Sequence, residues 1–134
     1  MQIATLVNAG VMWADADEPL VVLARRMLAH RMGLLPVRER GRLAGIVTER
    51  DVMAAIADGF AVTAPARAFM TADPAVAAPT NESADVALRM LELGVRHLIV
   101  VDHGRVVGMV SARDLLMLEV RPGGVPPVAP VPSQ

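Results

Sequence analysis

At 134 residues the chain has the length of a single domain, and its net charge of −1 argues against nucleic acid or an anionic membrane as its partner. The absence of cysteine excludes disulfides, thiolate nucleophiles and Cys-ligated metals, and it fits a reducing compartment. The apolar fraction of 54% exceeds that of typical domains, which indicates either a dense core or an apolar face that homodimerisation covers.

The first half of the chain predicts two helices around a β-hairpin. In chain order we expect a helical turn within 3–8, a strand at 12–14, a helix from 20 to about 32, strands at 34–37 and 43–47, and a helix that Thr48 opens and that ends near Gly59. Asp17, followed by an acid and a proline, is typical of a helix start and is predicted to cap the first helix.

The second half repeats the first at a constant offset of 63, with 14 identical positions between residues 5–55 and residues 68–118 and no gap. It predicts a helical turn near 67–70, a strand at 75–77, a helix that Thr80 caps, strands at 97–101 and 105–110, and a last helix from Ser111. Such a duplication indicates two copies of one supersecondary unit. We therefore predict an α+β fold of tandem β-α-β-β-α repeats, with two small mixed sheets and a pseudo-two-fold axis.

Three segments follow from this pattern: a first repeat at 1–65, a second repeat at 66–120 and a Pro-rich tail at 121–134. The connector 59–65 carries Phe60 and Val62 and is too apolar for a solvated linker, so we expect it to pack. The tail holds five prolines and two glycines and is predicted to be disordered.

Neither a membrane span nor a secretory signal is visible in the sequence. The apolar runs are far shorter than the ~20 residues that a spanning helix needs, and the N-terminus lacks the basic segment of a signal peptide. These features predict a cytoplasmic protein without a membrane partner.

Each repeat carries the pattern Gly-x-x-Ser/Thr-x-Arg-Asp where the second hairpin strand meets the following helix, at 45–51 and 108–114. The pattern has one structural interpretation, a capping box in which hydroxyl and carboxylate satisfy free helix amides. It also has a functional one, because a helix N-terminus with an arginine attracts phosphate while an aspartate accepts ribose hydroxyls. The preceding glycine, Gly45 or Gly108, would let backbone or ligand approach closely.

The two strand-turn-strand segments at 35–51 and 96–114, in their ungapped tandem order, resemble a CBS domain pair, also called a Bateman module. The resemblance covers roughly residues 1–120. It implies a non-catalytic regulatory module that binds an adenosine-containing ligand, such as AMP, ADP, ATP or S-adenosylmethionine, in clefts between the repeats. It also implies that no cofactor is required and that the module acts on a separate regulated protein.

There are three sets of candidate residues: the resemblance assigns the ribose and base residues, and the chemistry of arginine indicates the phosphate residues. The ribose is expected at Thr48, Asp51, Ser111 and Asp114, and phosphate at Arg50, Arg113 and Arg96. The base pocket is expected at Asp17, Leu34, Pro36, Thr80, His97 and Ile99. Because Asp17 and Leu34 stand where the second repeat has Thr80 and His97, we expect the two clefts to differ in affinity.

Two alternatives stay open. The chain is a constitutive dimerisation or interaction scaffold if Trp13 and Asp17 fill or repel the first cleft. A small hydrolase or transferase is the other, but no nucleophile–base pair and no histidine pair with metal-ligand spacing is apparent, so neither a catalytic nor a metal site is predicted.

Overall fold

The computed structural model describes residues 1–119. The elements are, in chain order, a 3₁₀ turn at Ile3–Leu6, β1 (Ala14–Asp15), α1 (Leu20–His30), β2 (Leu34–Glu39), β3 (Arg42–Thr48), α2 (Glu49–Ala57), α3 (Ala66–Phe69), β4 (Thr71–Ala72), β5 (Val76–Ala77), α4 (Ser83–Leu93), β6 (His97–Asp102), β7 (Arg105–Ser111) and α5 (Ala112–Glu119). None of the helices in this part of the chain has the length and apolar character needed to cross a membrane. The predicted Pro-rich tail lies outside the described residues.

The strands form two mixed sheets, with the orders β1-β2-β3-β4 and β5-β6-β7. In both, the strand before the long helix runs parallel to the next strand, which pairs antiparallel with its hairpin partner. This confirms the predicted β-α-β-β-α order in each repeat. Each sheet with the helices packed on it forms one lobe: the first contains β1–β4 and the second contains β5–β7. Each lobe has its own apolar core between sheet and helices.

The repeats exchange their first segments, which the sequence did not predict. Strand β4 belongs by sequence to the second repeat, yet Thr71 pairs with Ile46 of β3 in the first sheet. At the equivalent place in the second sheet, Asn8 and Met109 exchange backbone hydrogen bonds of 2.8 and 3.0 Å. Each lobe is therefore completed by the beginning of the other repeat.

The cores show the same exchange. Phe69 and Ala66, from the start of the second repeat, are buried in the core of the first lobe. Ile3, from the start of the first repeat, is fully buried in the core of the second lobe. A third apolar cluster, built around Leu34, Ile99 and Met109, joins the two sheets.

The exchanged segments explain the paired glycines. A Cβ on Gly45 would lie 2.5 Å from the carbonyl oxygen of Thr71, and one on Gly108 would lie 2.5 Å from that of Asn8. Because carbon and oxygen cannot approach so closely without a shift of the backbone, both positions need glycine. The sequence left open whether backbone or a ligand comes close to these glycines. In the structure it is the backbone of the exchanged segment.

The predicted caps of the two long helices are wrong. Helix α1 has Pro19 at its N-cap and α4 has Glu82, and neither receives a side-chain cap from Asp17 or Thr80. Instead, distant carbonyls accept from the first helical amides: Leu20 N–H donates to Ala64 and Ser83 N–H donates to Met1, at 2.8 and 2.7 Å. The free amides of a helix end need an acceptor but not a local one.

The connector contacts the fold differently from the prediction. The side chains of Phe60 and Val62 are exposed rather than packed. Its backbone makes the contact instead, since the Val62 carbonyl accepts from Val21 N–H at 3.0 Å beside the bond from Leu20 to Ala64. The connector is held by the capping of α1 and by Ala64, which packs against the first core, so the predicted packing is confirmed only for its last part.

Candidate functional site

The junction motif of the first repeat forms a complete capping box at the start of α2. Asp51 N–H donates to the Thr48 hydroxyl at 3.2 Å, and Thr48 N–H donates to Asp51 Oδ2 at 2.8 Å. The Thr48 hydroxyl in turn donates to the same carboxylate oxygen at 2.9 Å. The structural interpretation of the motif therefore holds here, and ligand contact would have to come in addition to it.

A residue that the sequence analysis missed completes this junction. Thr71, on the exchanged strand β4, donates its hydroxyl to Asp51 Oδ1 at 2.9 Å. The sequence relates Thr71 to Asn8 through the offset of 63. This relation does not show that Thr71 lies beside Asp51 unless the strand exchange is already known.

The junction of the second repeat is more open. Asp114 N–H donates to the Ser111 hydroxyl at 3.0 Å, but Ser111 N–H reaches Asp114 Oδ2 only at 3.4 Å. Asn8, the counterpart of Thr71, turns its side-chain oxygen to Gly10 N–H at 2.9 Å. Within residues 1–119 the other carboxylate oxygen of Asp114 receives no hydrogen bond.

His97 lies beside this second junction, at the contact between the lobes. It pairs with Ser111 in the β6–β7 register. A Cβ on Gly33 would lie 3.5 Å from the His97 ring and 3.6 Å from Glu49 Oε1, so both groups border the same small residue. Groups from both repeats thus converge around His97.

Burial lowers the pKa of His97 below its ordinary value, although the Asp114 and Glu49 carboxylates act in the opposite direction. The imidazole is therefore neutral near pH 7, with one nitrogen as donor and the other as acceptor. Such a ring can hydrogen-bond a purine edge or a hydroxyl without adding charge.

Three of the predicted base-pocket residues are buried: Leu34, Pro36 and Ile99. Leu34 and Ile99 belong to the cluster that joins the sheets. They offer a ligand little surface, and their packing instead sets how the lobes meet.

The strand register separates Asp17 and Thr80 from the junction residues. Leu34 pairs with Thr48 at one end of β2, whereas β1 pairs Asp15 with Arg38 near the other end. Four residues of strand span about 13 Å, and Asp17 lies farther still, paired with Arg67 at 2.6 Å. The parallel pairing of β5 with β6 removes Thr80 from Ser111 in the same way, so within each repeat these two groups lie at opposite ends of the sheet.

The predicted phosphate ligands are all exposed: Arg50, Arg96 and Arg113. Across the described part of the chain none of the three enters an ion pair, so their guanidinium groups remain available. Trp13, considered as a possible plug of the first cleft, lies 5.2 Å from the Arg38 guanidinium in a cation–π contact.

Two grooves are present, and one of them borders the second junction motif through Ala112. An apolar groove of about 390 Å³ runs between α4 and α5, with Leu91 and Leu116 on its wall and Arg96 at its edge. A charged groove of about 680 Å³ in the first lobe is bordered by acids and arginines, among them Asp17 and Arg67. Within residues 1–119 no three His, Asp or Glu side chains are placed to hold a metal ion.

Comparison with known proteins identifies the repeats. A family model for the CBS domain matches residues 3–58 and again residues 66–121. Hypoxic response protein 1 of Mycobacterium tuberculosis is 30% identical over 113 residues, which are 82% of this chain and 79% of that protein. The chain spans 36% to 66% of the length of the first three curated relatives that it matches.

Solved structures agree on the fold. The crystal structure of the CBS domain protein NE2398 superposes with a TM-score of 0.82 at 28% identity, covering 87% of this chain and 95% of that one. The CBS domain pair of protein MJ0100, solved in complex with 5-methylthioadenosine and S-adenosyl-L-methionine, superposes with a TM-score of 0.78 at 24% identity, covering 88% and 94%. Two family matches, the doubled fold and these likenesses lead to one conclusion: the chain belongs to the CBS domain family and folds as a CBS domain pair.

Proposed function

We propose that the chain is a non-catalytic sensor that binds an adenosine-containing ligand between its two lobes. The observation that carries the proposal is the convergence of Glu49 from one repeat with His97 and Asp114 from the other. The complex of the MJ0100 pair with two adenosine derivatives supports this ligand class by its fold alone.

The groups around His97 suit the parts of such a ligand. A ribose presents two hydroxyl donors, and the free oxygen of Asp114 with the Ser111 hydroxyl offers acceptors for them. The neutral His97 ring faces the base, and the exposed Arg113 is within the same helical turn to meet phosphate. Arg50 has the equivalent position at the first junction, and Arg96 lies next to His97 in sequence.

Binding between the lobes would make the ligand a regulator. The lobes meet through the apolar cluster at Leu34, Ile99 and Met109. A ligand that contacts both lobes favours the arrangement in which both sets of contacts form, and thereby shifts the population. The regulated partner in this proposal is a separate protein.

Calorimetry with AMP, ATP and S-adenosylmethionine tests the sensor. We expect at least one to bind below millimolar, and Asp114→Asn to weaken that ligand at least tenfold, because the variant loses the carboxylate charge but keeps an acceptor for the Ser111 amide. A ligand at 100 times its dissociation constant should stabilise the fold by about 2.7 kcal/mol. If none of the three binds below millimolar, the sensor function is wrong.

A homodimer is the second candidate property, and the exposed apolar residues favour it. Leu28 and Leu91 are 81% and 79% exposed, and Met53 and Leu116 are 71% and 66% exposed. These are equivalent pairs at the offset of 63, on the helices of both lobes, so the chain repeats one apolar face twice. A second copy of the chain can cover both halves of that face at once.

Sedimentation velocity tests the dimer. We expect the wild type to sediment as a dimer and the double variant Leu28→Arg, Leu91→Arg as a monomer, because two desolvated arginines per chain oppose association. Val62→Arg is the matched control, since Val62 is an exposed apolar residue of the connector. A wild-type monomer at micromolar concentration, or a dimer that survives the double change, would contradict the proposal.

A further inference from the structure

We propose that the Thr71 hydroxyl occupies the ribose position at Asp51, so that this chain has one working site, at Asp114, instead of two. The inference rests on the proposed function and refines it. It assigns to Thr71 the role of the residue that makes the two clefts unequal.

The carboxylate of Asp51 has no free oxygen. Oδ2 accepts from the Thr48 amide and hydroxyl at 2.8 and 2.9 Å, and Oδ1 accepts from the Thr71 hydroxyl at 2.9 Å. A ribose hydroxyl would offer this carboxylate the same kind of O–H donor that Thr71 already supplies. A ligand at this junction must therefore compete with Thr71 for Oδ1 and for the space in front of it.

Displacement is opposed by the way in which Thr71 is held. Its strand β4 pairs with β3 through Ile46↔Thr71 and Gly45↔Ala72. The Thr71 carbonyl also sits directly over Gly45, where no side chain separates the two strands. Thr71 is thus fixed in front of Asp51 by backbone contacts, not by its side chain alone.

The hydrogen bond from Thr71 to Asp51 is called the lock below, and Asn8 does not form its equivalent at the second junction. Asn8 stands where the first junction has Thr71, and its side-chain oxygen accepts from Gly10 N–H instead of engaging Asp114. Asp114 keeps one oxygen without a hydrogen bond among residues 1–119, and its contact to the Ser111 amide is long at 3.4 Å. The carboxylate can therefore accept a new donor without breaking an existing strong bond.

The neighbouring positions differ in the same direction. Where the second junction has the half-buried His97, the first has the buried, apolar Leu34. Where Glu49 approaches His97 across the lobes, the equivalent residue is Ala112. At these two positions the polar group is on the Asp114 side, whereas Arg96 is the polar counterpart of Gly33, so the single site rests chiefly on the hydrogen bond from Thr71.

The internal repeat supplies matched variants for a calorimetric test with AMP and with S-adenosylmethionine. Wild-type protein should bind one ligand per chain. Thr71→Val removes the hydroxyl with little change of shape, and Thr71→Asn copies the second junction. Each of these two variants should raise the stoichiometry towards two.

The reciprocal variants change Asn8. Asn8→Thr places a hydroxyl opposite Asp114 and should weaken binding at the wild-type site at least tenfold. Asn8→Ala removes only the bond to Gly10 and should bind the ligand as the wild type does.

The outcomes separate this inference from the sensor function. If the wild type binds two ligands per chain, or if Asp51→Asn abolishes binding while Asp114→Asn does not, the lock is wrong but sensing stands. If the Thr71 variants are folded, as judged by circular dichroism, and still bind one ligand, the lock is equally wrong. If no variant binds either probe, the inference fails, and the sensor function fails with it when ATP does not bind either.

Discussion

Replacing Phe69 with alanine is expected to lower the free energy of unfolding by about 3–5 kcal/mol, the usual cost of removing a buried aromatic ring. Phe69 belongs to the second repeat by sequence but packs into the core of the first lobe. The loss combines the lost burial of the ring with the cavity that remains in the core cluster that also contains Leu23 and Val47. Urea denaturation followed by circular dichroism measures it.

The exchange of segments also predicts a mirror result. Ile3→Ala should cost about 2–5 kcal/mol, since Ile3 is fully buried in the core of the second lobe. Leu93→Ala is the control, because Leu93 is half exposed at the end of α4 and its truncation creates no cavity. If Ile3 and Phe69 behave like Leu93, the segments do not complete the opposite cores.

Gly108→Ala is expected to cost about 1–3 kcal/mol, the range for overpacking a close contact. The added Cβ would lie 2.4 Å from Val7 Cγ1 and 2.5 Å from the Asn8 carbonyl oxygen. The Val7 side chain can rotate away, but the Asn8 carbonyl can move only by weakening the paired bonds between Asn8 and Met109. The N-terminal segment should therefore loosen from the second sheet.

Gly33→Ala is the matched control for this prediction. Its Cβ would meet no atom closer than 3.5 Å, which is ordinary van der Waals contact. Thermal unfolding of the two variants, with hydrogen exchange of the Asn8 and Met109 amides, distinguishes a local clash from a general effect of alanine. Equal stability of Gly108→Ala and the wild type would contradict the proposed role of the close approach.

Local features of the fold were readable from the sequence because they depend on neighbouring residues. The spacing of apolar residues predicted both long helices, and the offset of 63 predicted two equivalent hairpins. Thr48 and Asp51 lie three residues apart, so their capping box was also predictable. Recognition of the CBS pair rests on the same short motifs in their doubled order, and the family match confirms it.

Long-range contacts were decided only by the tertiary structure. Nothing in the periodicity indicates that Thr71 crosses to the first sheet, or that the carbonyls of Met1 and Ala64 cap the long helices. Two equivalent repeats can pair within themselves or exchange segments with the same local pattern, and core packing selects between these arrangements.

The same distinction between local and long-range information applies to the candidate site. Sequence alone identified the two junction motifs and the unequal pair Leu34 and His97. Strand register then separated Asp17 from the junction, and strand exchange brought Thr71 onto Asp51. The chemistry of each residue type is local information, but which carboxylate keeps a free oxygen depends on the segments that cross it, and only the folded chain determines that.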